Sequence, residues 1–137
     1  MDFRITNDVK QQDINEIIEM LEAYNHRCGV NDDSIPVGIF YEDENGKKLA
    51  GLTGVAYGNW FSINFLFVGE ELRGKGIGKK LLLMAEEEAK AKGCKYAFVN
   101  TNSFQAPWLY EKLGYQCVFT QKEFPYNGEK YYYTKVL

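Results

Sequence analysis

WFSINFLFVGEELRGKGIGKKLL, residues 60–82, runs from an apolar segment into three alternate glycines and straight on into a basic, amphipathic stretch. Residues 60–68 read as a strand, with Phe61, Ile63, Phe65 and Phe67 on one face and Ser62, Asn64, Leu66 and Val68 on the other. A strand apolar on most of both faces belongs in the middle of a sheet. From residue 77 the period lengthens from two to that of a helix. Ile77, Leu81, Ala85 and Ala89 form a stripe, Glu86 stands four residues before Lys90, and Gly93 marks the stop. Between strand and helix, Gly74, Gly76 and Gly78 leave the backbone bare. The first N–H groups of a helix lack internal partners and its dipole attracts negative charge, so this junction is suited to an anion. Arg73, Lys75, Lys79 and Lys80 add positive charge and favour a diphosphate over a carboxylate. The bland alternative is a solvated basic helix start whose glycines serve only the turn.

Upstream, PVGIFYED and KKLAGLTGVAYG flank ENGK, and an Asn-Gly pair between two such runs predicts a β-hairpin. Ile14, Ile17, Ile18, Leu21 and Tyr24 recur at helical spacing, which predicts a helix over about residues 11–25, and residues 3–6 (FRIT) alternate like a short strand. Downstream, KYAFVN reads as a strand, APWLYEKLG as a helix ending at Gly114, and YQCVFTQKEF and EKYYYTKVL as a closing strand pair around YNGE. The expected order is β-α-β-β-β-α-β-α-β-β. In the last strand at most part of the Tyr131, Tyr132, Tyr133 cluster can line a pocket, because alternate residues face the core.

With 137 residues, 45% of them apolar and 15% aromatic, the chain suits one domain with a real core. A net charge of −3 gives no basic field for nucleic acid and suits a small cationic substrate better. No apolar run approaches the roughly 20 residues that span a bilayer, so no membrane role is expected. Cys28, Cys94 and Cys117 are odd in number and lack metal-ligand spacing. That points to a reduced, cytoplasmic protein without a metal.

Two phosphate motifs fail on inspection. Gly69 to Lys75 has P-loop spacing, but Gly76 stands where a magnesium-binding Ser or Thr is needed. A dinucleotide fingerprint wants glycine at position 79, which is Lys79, and the segment follows antiparallel-looking strands instead of opening a βαβ unit. What remains, Arg73-Gly74-Lys75-Gly76-Ile77-Gly78 between a strand and an amphipathic helix, resembles the pyrophosphate-binding motif of the GNAT superfamily of N-acetyltransferases. The segment SFQAPWLYEKLGYQ, residues 103–116, is similar to the family's second motif, with Ala106, Leu109, Tyr110, Glu111, Lys112, Gly114 and Tyr115 matching. The order of elements agrees, so the resemblance covers nearly the whole chain.

The resemblance implies an α+β, three-layer fold with a mixed, mostly antiparallel sheet of about seven strands, forming a single N-acetyltransferase domain over residues 1–137. It implies acetyl-CoA as cosubstrate, held by the backbone of Leu66, Phe67 and Val68 in a splay between strands and by Arg73, Gly74, Lys75, Gly76, Ile77, Gly78 and Lys79 at the diphosphate. Ala106 belongs to the same cofactor site. Where many members carry asparagine this chain has Ser103, with Asn102 beside it, and both stand as candidates for the cofactor contact. Tyr110 takes the position of the general acid. The implied reaction is direct attack of a primary amine, on a small molecule or peptide, on the thioester. A catalytically silent CoA-binding sensor or interaction module is the alternative. The base is open between His26, Glu42 and a water. Residues 24–33, 42–48 and 123–133 would set acceptor choice, with Asp32, Asp33, Glu42, Asp43 and Glu44 favouring a cation. Exposed strand edges, by analogy with the family, point to a homodimer.

Overall fold

The central strand of the computed structural model, which describes Met1–Leu137, carries a bulge that sets up much of the site. The chain divides into two units, Met1–Asp33 and Ser34–Leu137. The first holds helix α1 (Gln11–Arg27), whose start is fixed by Asp13 Oδ2 accepting from the Lys10 amide at 3.0 Å. The second holds strands β1 (Ile35–Glu42), β2 (Lys48–Tyr57), β3 (Trp60–Val68), β4 (Tyr96–Asn102), β5 (Gln116–Lys122) and β6 (Glu129–Val136). A 3₁₀ turn (Glu70–Leu72) and helix α2 (Ile77–Ala91) follow β3, and helix α3 (Pro107–Lys112) follows β4. No helix is long and apolar enough to cross a membrane.

The strands form one sheet in the order β1-β2-β3-β4-β6-β5. All neighbours are antiparallel except β3 and β4. Six strands therefore form where about seven were expected, and residues 3–6 do not make one. Four alternating residues carry a strand pattern, but a strand exists only where a neighbour completes its hydrogen bonds, and that ladder is not formed.

The register of β2 on β3 passes from Gly54↔Ile63 to Thr53↔Phe65, leaving Asn64 as an extra residue. A bulge of this kind reverses which face later residues occupy. Phe61 and Ile63 are buried, and beyond the bulge it is Leu66 and Val68 that pack against the same core. Phe65 and Phe67 go to the opposite face, which corrects the unbroken alternation expected for residues 61–68. Gly54 permits the bulge, because a Cβ there would meet Ser62 O at 2.5 Å and the Phe61 ring at 2.7 Å.

Helix α2 lies over β1, β2 and β3. It buries Leu81, Leu82, Ala85, Glu86 and Ala89. Glu86 thus falls on the inward stripe, not in the expected surface pair with Lys90, which bonds Glu87 at 3.2 Å instead. Inside, Glu86 accepts from Tyr115 Oη at 2.9 Å and forms an ion pair with Lys135 Nζ at 2.9 Å. Tyr115 and the inward-facing Tyr133 join helix α3 to the same face of the sheet as α2.

Candidate active site

Strands β3 and β4 pair only at Trp60↔Tyr96, Phe61↔Ala97 and Ser62↔Phe98. Beyond these residues they splay, and the rest of each strand toward Val68 and Asn102 faces a gap. The amide of Gly69 donates to Leu49 O at 2.9 Å. Since hydrogen-bonded positions alternate in an antiparallel pair, Phe65 and Phe67 turn their backbone groups to β2, and Leu66 and Val68 turn theirs into the gap. Of the three residues expected to hold a ligand by backbone, Leu66 and Val68 are so directed, and Phe67 instead lies under the Arg73 guanidinium at 5.7 Å. Arg73 Nε also donates to Val68 O at 3.3 Å, which fixes this side chain at the mouth of the gap.

The glycine turn opens beside it. Gly74 and Gly76 have φ of +79° and +76°, and space is open where a Cβ would stand. Gly76 is the N-cap of α2, with no side-chain cap bond and no acidic residue in the first turn. The first amides of the helix, at Ile77, Gly78 and Lys79, are thus left for an external acceptor. None of the chain's ion pairs involves Arg73, Lys75, Lys79 or Lys80. A Cβ on Gly78 would lie 3.3 Å from Leu109 and 3.5 Å from Val68, so the start of α2, the end of β3 and helix α3 converge there.

At the end of β4, the two candidates for the contact with a bound arm differ. Ser103 Oγ accepts from the Glu129 amide at 3.2 Å and its own amide donates to Glu129 O at 2.8 Å, tying the chain to β6. Asn102 Oδ1 is buried without any partner. Gln105, absent from the expected site, shapes this turn: its Oε1 accepts from Thr101 Oγ1 at 3.0 Å and from the Asn102 amide at 2.8 Å. Ala106 is the N-cap of α3 and has no side-chain cap bond.

Tyr110, the one buried residue of α3, sits between two other tyrosines. Its ring is edge-on to Tyr115 at 5.7 Å and stacked on Tyr133 at 6.0 Å. Tyr115 donates to Glu86, and Tyr133 donates to Glu111 Oε1 at 2.8 Å. No protein group bonds the Tyr110 hydroxyl. Burial pushes its pKa up to about 12. Burial also raises the phenol of Tyr115, reinforced by the charge of Glu86, and that of Tyr133, reinforced by its bond to Glu111. Their neutral forms favour the folded state. That contribution is complete below the free phenol's pKa near 10 and is lost as pH rises through the folded values. For Tyr110 the loss is roughly 1.4 kcal/mol per pH unit between about 10 and 12. Absorbance titration should therefore show three of the ten tyrosines ionising only together with alkaline unfolding. Gradual ionisation of all ten while the fold persists would contradict this burial.

Two of the other expected acceptor or base residues, Asp43 and His26, are engaged locally. Asp43 Oδ1 accepts from the Asn45 and Lys47 amides at 2.8 and 2.9 Å, so it closes the hairpin turn. In the first unit, His26 Nδ1 lies 2.6 Å from Asn31 Oδ1. No group of three or more His, Cys, Asp or Glu is placed to hold a metal ion.

A splayed parallel strand pair, a bare glycine turn and an unbonded phenol are the features this arrangement offers to a ligand. The family profile described as "Acetyltransferase (GNAT) domain" matches residues 36–117. The chain belongs to the GNAT superfamily of N-acetyltransferases. It is an acyltransferase, and its family takes acetyl-CoA as cosubstrate. Among relatives, it is 34% identical over 112 residues to acetyltransferase Atu2258 of Agrobacterium fabrum, covering 81% of this chain and 82% of that one. It is also 34% identical over 83 residues to the blasticidin-S acetyltransferase of Streptomyces morookaense, covering 60% and 61%. A crystal structure described as that of a "putative acetyltransferase" from Agrobacterium tumefaciens superposes with a TM-score of 0.94 at 28% identity, covering 100% of both chains. The residues present fit acetyl-CoA: the open glycine cradle meets unneutralised cations, and an orphaned acceptor, Asn102 Oδ1, stands at the end of β4.

Proposed function

We propose that residues 1–137 act as one N-acetyltransferase domain that transfers the acetyl group by direct attack of a primary amine, borne by a small molecule or peptide, on the thioester. The observation that carries this reading is the Tyr110 hydroxyl. Of the three clustered, buried tyrosines, Tyr115 and Tyr133 each have a carboxylate acceptor, and the one at the motif's acid position has none. Its ring is buried, but its unbonded hydroxyl is not among the side-chain oxygens sealed from solvent, so it is open to a ligand that can accept its proton in a hydrogen bond.

Acetyl-CoA supplies an activated acetyl group, and the residues named do the rest. Gly74 to Lys79 and Arg73 hold the diphosphate through backbone amides and side-chain charge. The amides of Leu66 and Val68 hold the arm along β3, and one of them polarises the carbonyl, an oxyanion-hole role. Asn102 Oδ1 accepts an N–H of the arm, Ser103 fixes the turn, and Ala106 opens α3 toward it. Tyr110 donates a hydrogen bond to the sulfur that leaves. The relative named for blasticidin S supports a small-molecule acceptor. The free edges of β1 and β5 suit a homodimer, and free cysteines suit the reducing cytoplasm.

The test is acetyl-CoA-dependent thiol release against polyamines, aminoglycosides, amino acids and short peptides. Release with one acceptor class is expected. Retained CoA binding with no release in any class would sink the amine-transfer reading. In parallel, Gly76→Glu puts a side chain at positive φ and a negative charge at the helix start. It is expected to weaken acetyl-CoA binding by at least about 10²-fold in calorimetry. Unchanged affinity would remove the diphosphate from this turn.

A further inference from the structure

Because no protein group bonds the Tyr110 hydroxyl, its aim depends on how its ring and its helix are fixed. The helix alone is a weak anchor. α3 has six residues and no side-chain cap at its start, and helices this short persist only through tertiary contacts. One side-chain hydrogen bond joins α3 to the sheet, from Tyr133 Oη to Glu111 Oε1 at 2.8 Å. Glu111 is the residue after Tyr110, and the Tyr133 ring is stacked on Tyr110 with an interplanar angle of 27°. Tyr133 itself is 1% exposed, in the middle of β6 opposite Val99 of β4, so it has little freedom to move.

We propose that Tyr133 is a positioning residue for the reaction, aiming the Tyr110 hydroxyl through the ring stack and through the bond of its own hydroxyl to Glu111. The inference rests on the role given to Tyr110 above. Phenylalanine at 133 would fill the core and stack as well, so a need for tyrosine there is a need for the Glu111 bond. That bond holds the helical turn which carries Tyr110, and a hydrogen bond to a reacting atom is sensitive to shifts well below 1 Å. Tyr115 holds the other edge of the ring, but its hydroxyl bonds to α2, so it fixes the ring without tethering α3.

The experiment is a double-mutant cycle on the full chain, with kcat and KM for acetyl-CoA measured for the best amine of the panel. Tyr133→Phe is expected to lower kcat about tenfold with KM for acetyl-CoA unchanged within about twofold. Glu111→Gln, which keeps an acceptor oxygen for the Tyr133 hydroxyl, should retain activity, and Glu111→Ala should match Tyr133→Phe. In a Tyr110→Phe background the Tyr133→Phe change should have almost no further effect, because its action runs through the missing hydroxyl. Wild-type kcat in Tyr133→Phe, or a tenfold factor carried undiminished into the Tyr110→Phe background, would overturn the proposal. Full activity of Tyr110→Phe alone would overturn the underlying role of Tyr110, and that failure is read from the single variant before the cycle is closed.

Discussion

Tyr110→Phe is expected to lower kcat by about 10- to 100-fold while leaving KM for acetyl-CoA nearly unchanged. The magnitude follows from what this phenol can do. Burial has raised its pKa to about 12. A simple thiol has a pKa near 8.5, so complete proton transfer to the leaving sulfur would be uphill by about 3.5 units, or roughly 5 kcal/mol. Donation of a hydrogen bond to developing negative charge carries no such penalty and contributes about 1.5–3 kcal/mol, which is the loss expected on removing it. The ring stays packed between Tyr115 and Tyr133 in the variant, so folding should be nearly intact. The same reasoning places no alkaline limb from Tyr110 in the rate profile below pH 10. The measurement is thiol release across pH 6–10 for both proteins. Equal kcat values would show that Tyr110 is packing alone, and a limb near pH 8–9 that vanished in the variant would show a far more acidic phenol than the burial allows.

The parts of this site that were legible in the sequence are those written locally. The glycine turn declares itself because a strand, three glycines, four cations and a helix follow one another without interruption. Tyr110 is legible because its interval from Ala106 is short and fixed along one turn and helix. The Asn64 bulge is not legible: the sequence of β3 alternates without a break, and only the register against β2 shows that Phe65 and Phe67 have changed face. Seven strands were expected because FRIT alternates, yet a pattern over four residues cannot supply its own pairing partner. Asn102 and Ser103 are adjacent in sequence, and each carries an oxygen that can accept a hydrogen bond. They separate only once β6 arrives to occupy the Ser103 hydroxyl. The groups around Tyr110 were missed for the same reason. Tyr133 and Glu111 are 22 positions apart, and Glu86 and Lys135 are 49 apart, so neither spacing is a helical or strand repeat.

The ion pair between those last two residues leads to the largest expected effect on stability. Glu86 is 5% exposed on the inward stripe of α2, bonded by Lys135 through both carboxylate oxygens at 2.9 and 3.1 Å and by the Tyr115 hydroxyl. Taking a carboxylate out of water costs several kcal/mol, and Lys135 offsets most of that. Lys135→Met keeps an apolar stem against the Tyr115 ring, which the native ammonium approaches at 5.4 Å, but leaves the charge of Glu86 without a counter-ion. The expected cost is about 3 kcal/mol, or a fall in Tm on the order of 10 °C for a chain of this size. Glu86→Gln added to Lys135→Met should recover most of it, since the amide oxygen still accepts from Tyr115 and no charge is left buried. Urea and thermal unfolding of the two variants decide the matter. A single variant as stable as the native chain would mean that water reaches Glu86. A double variant no better than the single would mean that Lys135 works by packing and not by charge. Because Tyr115 bonds Glu86 and also borders Tyr110, the single variant should lose activity as well, and the double variant should regain it in step with stability.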